Sequence, residues 1–161
     1  MHLTHEKVRR ATKKAVAIAK QAGAIISFDP NIREPLWNSM DEAREQVLYG
    51  LGQCHILKIS DNEIQWLTGK NDYTEAVKWI REKYDIPLIL ALNFSTGAGD
   101  TFCACVLHYI CKHGLENLTE KNLKEMLTYA NAAASIITTR KGALRVMPRP
   151  EEIEALIAGH H

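Results

Sequence analysis

Apolar residues recur along this chain with two textures. Long stretches repeat them every three or four residues, the spacing that gathers them on one side of a helix. Three short stretches run almost continuously apolar, as strands buried on both faces do. Val8, Ala11, Ala15, Ile18 and Ala19 predict a helix over 5–22, capped by Thr4 and stopped by Gly23. The run Ala24-Ile25-Ile26-Ser27-Phe28 predicts a first strand, which ends in the polar loop Asp29-Pro30-Asn31-Ile32-Arg33. Ser39 and Glu42 have capping-box spacing for a helix to about Leu51. His55-Ile56-Leu57-Lys58-Ile59 predicts a second strand. Ser60 with Glu63 repeats the box for a short helix ending at Gly69.

A helix over 73–83 follows, with Val77, Trp79, Ile80 and Tyr84 near one side, then a third strand over 87–92. Apolar residues cover most of the circumference of a helix predicted over 101–112, so it is expected to be deeply buried. Thr119 starts a long helix through about Thr138 that is Ala-rich at 130–134, and Pro150 opens a last helix over 151–157. Strands alternating with helices predict an α/β fold, an open parallel sheet with helices on both faces. Ligands in such sheets gather at the carboxyl ends of the strands. Asp29, Asn31 and Arg33 follow the first strand, Ser60 and Glu63 the second, and the turn Ser95-Thr96-Gly97-Ala98-Gly99-Asp100 the third. Three strands offer too little sheet for about seven helices, so the sheet reads as incomplete.

That glycine turn carries the chemistry. A helix start leaves its first N–H groups without intrahelical partners and carries about half a positive charge. Gly97 and Gly99 lack a Cβ, so an anion such as a phosphate can approach the backbone. Asp100 beside that anion has two readings: a base that takes a proton from an attacking hydroxyl, or a helix N-cap. Glu63 likewise divides between work on a metal-bound water and capping with Ser60. Asp29 either meets ligand or sets the turn with Pro30, and Arg33 pairs with a phosphate or with Asp29 or Glu34. His55, His108 and His113 read as ordinary core or surface histidines, and Trp37, Trp66 and Trp79 as packing anchors. Arg140-Lys141 reads as a solvated charge pair.

Composition narrows the field. The 161 residues are 46% hydrophobic and 24% charged, which is globular, and a net charge of +1 without a basic stripe argues against nucleic acid. No run approaches the ~20 apolar residues of a membrane span, and the N-terminus lacks the apolar core of a signal peptide. The four cysteines, Cys54, Cys103, Cys105 and Cys111, form no C-x-x-C pair, so zinc and redox dithiols are not expected. Three of them share one apolar helix and read as small buried thiols, which fits a reducing, cytoplasmic setting. Residues 159–161 read as a tag remnant.

Four stretches resemble the ribokinase-like sugar kinases of the phosphofructokinase-B family, and bacterial fructokinases within it. They are Phe28 to Trp37, Leu57-Lys58-Ile59-Ser60-Asp61-Asn62-Glu63, Thr96 to Phe102, and Ala130 to Ala134 with Lys141-Gly142-Ala143. Their order matches the family. The resemblance implies a three-layer α/β/α fold around a mostly parallel sheet. It implies that Asp100 is the catalytic base and that the N–H groups of Gly97, Ala98 and Gly99 form the anion hole. It places Asp29, Asn31, Arg33 and Thr96 at the substrate and phosphate end of the site. Asn131 and Gly142 fall in the adenine pocket, and Glu63 acts on the hydration shell of Mg²⁺. The implied cofactors are ATP and Mg²⁺; Phe94 stands where the family usually carries Asp, which leaves a monovalent cation open.

The implied reaction is phosphorylation of a sugar hydroxyl. The run from Asp29 to Trp37 favours fructose over ribose, 2-keto-3-deoxygluconate and related sugars. The family's N-terminal portion with most sugar contacts, and its T-x-G-x-x-G nucleotide segment, have no match here. Residues 1–158 therefore read as the C-terminal part of a single kinase domain with an internal deletion near 92–95. The 161 residues alone are expected not to turn over sugar. A truncated nucleotide-binding module is the alternative. The expected partners are a sugar and ATP, with no nucleic acid and no membrane, and homodimerisation is left open.

Overall fold

The computed structural model describes residues 4–92, 97–140 and 147–159. They form two compact units, residues 1–92 and 93–161. The first unit runs α1 (Glu6–Gln21), β1 (Ser27–Phe28), a single 3₁₀ turn at Glu34–Leu36, α2 (Met40–Leu51), β2 (Ile56–Ser60), α3 (Asp61–Thr68), α4 (Tyr73–Lys83) and β3 (Leu88–Leu92). The three strands form one parallel sheet in the order β1-β2-β3. Ser27 sits opposite Ile56, and Ile56 to Ser60 sit opposite Leu88 to Leu92.

β2 is the centre of this unit. It is paired along both edges, and Ile56, Leu57 and Ile59 are wholly buried although they alternate between its two faces. The apolar run of the sequence is thus the signature of a strand covered on both sides. Around it pack Phe28, Val47, Leu51, Ile64, Leu67, Ala76, Ile80 and Ile86, with Trp66 and Trp79 partly buried against the same core.

β1 is shorter than the five-residue apolar run predicts. The N–H of Ile26 donates to Nδ1 of His55 at 2.9 Å, and its carbonyl accepts from the N–H groups of His55 and Ile56. An imidazole thus takes the place of a ladder partner, and Ile25 stays exposed. His55 therefore has a definite structural task at the strand entrance.

The buried side of α1 also differs from the expected one. Val16 is buried, whereas Val8, Ala11, Ala15 and Ile18 are exposed. The reason is the polar contact with α2 and the turn after it. Arg9 donates to Oε1 of Glu42 at 2.6 Å, Lys13 lies 4.4 Å over the ring of Tyr49, and Lys20 reaches Gln53. The Arg9 guanidinium holds the Glu42 carboxyl below the usual carboxylate range, with help from Asn38. Ser39 caps α2 as predicted, accepting from the N–H of Glu42.

The second unit contains α5 (Ala98–His113), α6 (Glu120–Thr138) and α7 (Pro150–Ala158). Phe102, Val106 and Ile110 recur every four residues on α5 and are buried; on α6 the buried set is Met126, Ala130, Ala133, Ala134 and Ile137. The alanines let the α5 and α6 backbones approach closely. α5 is not buried all round, as its composition predicts. Ala104, His108 and Cys111 are exposed, because α6 covers one side of α5. His113 stacks on Tyr109, with ring centres 4.3 Å apart.

The cysteines divide accordingly. Cys54 is buried, and that burial pushes its thiol up to about 11, whereas Cys103 and Cys105 are half-buried and Cys111 is exposed. Among the described residues, no helix is long and apolar enough to cross a membrane.

A methyl group at Gly50 would run into the buried ring of Phe28, so α2 rests on β1 through a residue with no side chain. Gly50→Ala is expected to destabilise the unit by about 1–3 kcal/mol through overpacking. Urea unfolding followed by tryptophan fluorescence checks this, since all three tryptophans lie in this unit.

Candidate functional site

The first unit brings Asp29, Asn31, Arg33 and Glu63 into one neighbourhood. The loop leaves β1 at Asp29, whose Oδ2 accepts from Nζ of Lys58 on β2 at 2.6 Å. Asn31 has φ 44°, left-handed backbone that Asn tolerates better than most residues. The next N–H, that of Ile32, donates to Oε1 of Glu63 at 2.7 Å. Oε2 of Glu63 accepts from the N–H and the hydroxyl of Ser60, at 3.0 and 2.8 Å.

Ser60 in turn accepts from the N–H of Glu63, which completes the expected capping box at the start of α3. α3 ends, as expected, at Gly69 in left-handed conformation. Glu63 thus caps its own helix and holds the loop from the neighbouring strand. Asp29 is ion-paired, so it does more than set a turn. Arg33 is exposed and donates to the carbonyl of Ile32; among the described residues it forms no ion pair with Asp29 or Glu34. Lys58 is the member that sequence reasoning missed. Its signal was a lone cation in the apolar run His55-Ile56-Leu57-Lys58-Ile59.

The second unit carries the glycine turn. Gly97 is the N-cap of α5, with φ 87° and ψ −31°, and the helix begins at Ala98. That start is three residues earlier than predicted, so Asp100 lies in the first turn of α5 and is not its cap. The shift has a local cause. The carbonyl of Gly97 accepts from both the N–H and the hydroxyl of Thr101, each at 3.1 Å. Thr101 is buried, and its Oγ1 also lies 3.3 Å from Sδ of Met147.

The N–H groups without partners inside the helix are therefore those of Gly97, Ala98, Gly99 and Asp100. A Cβ built on Gly97 would meet nothing within 4 Å, so the backbone there opens onto free space. Such a turn has the donor set and the room for a phosphate. The Asp100 side of the turn is exposed, as is Asn131 on α6. Thr96 and Gly142, the other two expected contacts, lie outside the described residues, as does Phe94.

A hollow beside the end of α6 is lined by Arg140, Met147, Arg149, Glu151 and Glu152. Nη2 of Arg140 pairs with Glu152 on α7; Lys141, with which its sequence suggests a solvated charge pair, lies outside the described residues. The N–H of Arg149, and then the Arg140 guanidinium, hold the Glu152 carboxyl below its usual range. Among the described residues, no group of three or more His, Cys, Asp or Glu could hold a metal ion alone. Mg²⁺ shared between one carboxylate, waters and phosphate oxygens needs no such cage.

These two units match known proteins over almost their whole length. The family model described as pfkB family carbohydrate kinase matches residues 5–90 and 95–150. The chain belongs to the pfkB family of carbohydrate kinases, and its fold is ribokinase-like α/β. It is 36% identical over 179 aligned positions to fructokinase-1 of Zea mays, covering 96% of this chain and 55% of that protein. With fructokinase-2 of Solanum habrochaites it shares 32% over 178 positions, covering 96% of this chain and 54% of the relative.

Among solved structures, it is similar to a fructokinase double mutant from Vibrio cholerae O395 with fructose, ADP and potassium bound. The TM-score is 0.85 and the identity 27%, over 96% of this chain and 57% of that one. An aminoimidazole riboside kinase from Salmonella enterica shares the fold with a TM-score of 0.79, at 24% identity, over 97% and 60% of the two chains. The chain spans about half the length of the curated relatives it matches.

The open space at Gly97 means that a side chain there costs backbone strain and no clash. Gly97→Ala is expected to destabilise the second unit by about 1–2 kcal/mol, the cost of a left-handed residue with a Cβ. The shift of the unfolding midpoint in far-ultraviolet circular dichroism measures it.

Proposed function

We propose that the protein is an ATP-dependent sugar kinase and that fructose is its substrate. One observation carries the reading: α5 opens at a positive-φ glycine facing free space, with a carboxylate in its first turn. Outward-facing N–H groups suit the negative charge of a transferring phosphoryl group. Asp100 would take the proton from the sugar hydroxyl as its oxygen attacks phosphorus. ATP, when bound, supplies the phosphoryl group, and Mg²⁺ neutralises charge on its phosphate oxygens.

Glu63 would meet that ion through water, and Asn31 and Arg33 would face the phosphate end. Asn131 and Gly142 would border the adenine. The fructokinases among the relatives support fructose as the sugar. The four free cysteines support a reducing, cytoplasmic compartment.

We also propose that residues 1–158 form the C-terminal part of one ribokinase-like kinase domain, shortened by an internal segment near 92–95, with 159–161 a tag remnant. The family match breaks between residues 90 and 95. The alignment to the maize enzyme runs over 179 positions, more than the 161 residues of this chain, so that relative carries residues absent here. On this reading the 161 residues alone do not turn over sugar. Intact mass spectrometry is expected to give a mass well above 18.1 kDa for the working protein; a mass near 18.1 kDa favours a nucleotide-binding module.

In the whole protein, Asp100→Ala is expected to lower kcat for fructose-dependent ADP release by about 10²–10⁴-fold, with ATP binding kept. Full activity in that variant refutes the assigned base.

A further inference from the structure

The loop after β1 carries three of the residues assigned above to the substrate and phosphate end, yet little of its own structure fixes it. Beside the packing of Ile32 against the core, two polar contacts from a single neighbouring segment hold it among the described residues. We propose that Lys58 and Glu63 are positioning residues that clamp loop 29–33, Lys58 through the Asp29 carboxylate and Glu63 through the Ile32 N–H. The inference rests on the kinase reading for its consequence in catalysis, and on the geometry alone for the clamp.

Both contacts join residues far apart in sequence. Each goes beyond what its residue needs locally. Capping of α3 uses Oε2 of Glu63, which accepts from Ser60; it makes no use of Oε1. Oε1 instead reaches across to Ile32 at 2.7 Å, a short, charge-assisted bond. The N–H that it holds belongs to the residue directly after Asn31, whose left-handed backbone is thereby fixed from outside.

Lys58 lies in a strand whose residues Ile56, Leu57 and Ile59 have no exposure, and its own side chain is 16% exposed. A cation so placed requires partners, and among the described residues it reaches the first residue of the loop, at 2.6 Å. The two grips therefore fall at both ends of the stretch that carries Asn31, with Arg33 one residue beyond.

The carboxylate of Glu63 has room for a second duty. It offers about four acceptor positions. Among the described residues three donors use them, the Ile32 N–H and the Ser60 N–H and hydroxyl. One position on Oε1 remains, enough for a single water. Glu63 can therefore meet a magnesium-bound water without releasing the loop, which ties the geometry of residues 29–33 to the metal side of the site.

The test combines amide hydrogen exchange with kinetics in the whole protein. In Glu63→Ala, protection of the Ile32 amide is expected to fall about tenfold or more, the scale of a lost bond to a charged group. In Glu63→Gln, which keeps an acceptor, most of that protection is expected to remain. The Leu57 amide in β2 serves as the internal reference and is expected to change by less than about twofold in both. Lys58→Met is expected to lower kcat/KM for phosphoryl transfer about tenfold, and Lys58→Arg, which can still reach Asp29, to restore most of it.

Unchanged Ile32 exchange in Glu63→Ala overturns the clamp, and so does an equal loss at Leu57, which would report general destabilisation. Unchanged kcat/KM in Lys58→Met overturns the positioning role. A wild-type protein that transfers no phosphoryl group defeats the kinase reading instead, and the exchange arm still judges the clamp.

Discussion

A strand bonded along both edges and sealed on both faces has few places to put a polar side chain, and β2 is such a strand. Ile56, Leu57 and Ile59 take the interior. The polar residues Lys58 and Ser60 emerge only partly buried, at and near its carboxyl end, and each is committed to a partner. Leaving either unpaired would cost more than its pairing gains, because water reaches that depth poorly. The partners are Asp29 on the loop from β1 and Glu63 on α3. The burial that stabilises the sheet thus also gathers polar groups at the strand ends, where open parallel sheets bind their ligands.

The second unit meets a related constraint at the start of α5. A helix must begin somewhere, and its first N–H groups then need partners from outside it. Here the start is fixed from behind. Thr101, buried, bonds the Gly97 carbonyl through both its backbone and its hydroxyl, while Gly97 adopts a φ that other residues resist. The carbonyl side of the turn is tied down, and the position a side chain would take at Gly97 is open space, with the Asp100 carboxylate in the same helical turn.

Much of this was legible in the sequence, for identifiable reasons. Capping chemistry is local, so Ser39 with Glu42, Ser60 with Glu63, Thr119 and Pro150 each mark a helix start within a residue. The strands at 55–59 and 87–92 could be read from continuous apolar runs, because β2 is buried on both faces and the half-buried face of β3 is apolar too. Thr4 does not cap α1, whose N-cap is His5 with no side-chain bond; the other misses are matters of partners.

The exposed side of α1 could not be foreseen, since it turns on Arg9 meeting Glu42, 33 residues away in sequence. β1 stops short because of an imidazole supplied by the next strand. α5 begins early because Thr101 reaches back four residues to Gly97. Lys58 went unnoticed because nothing in a strand's periodicity distinguishes a paired cation from a snorkelling one. Asp29 and Glu63 could be picked out by type as candidates; what each one holds could not.

The attachment of α1 has a consequence of its own. This helix buries Val16 and packs Ala19 partly against the same core, and it also meets the turn and helix beside it through Arg9, Lys13 and Lys20. Charge attraction is damped by dissolved ions, with a range of about 8 Å at physiological ionic strength, whereas the oily contacts around β2 are not. The first helix is therefore fastened in part by a force that charge screening weakens, on a body held mainly by apolar burial, which screening leaves in place.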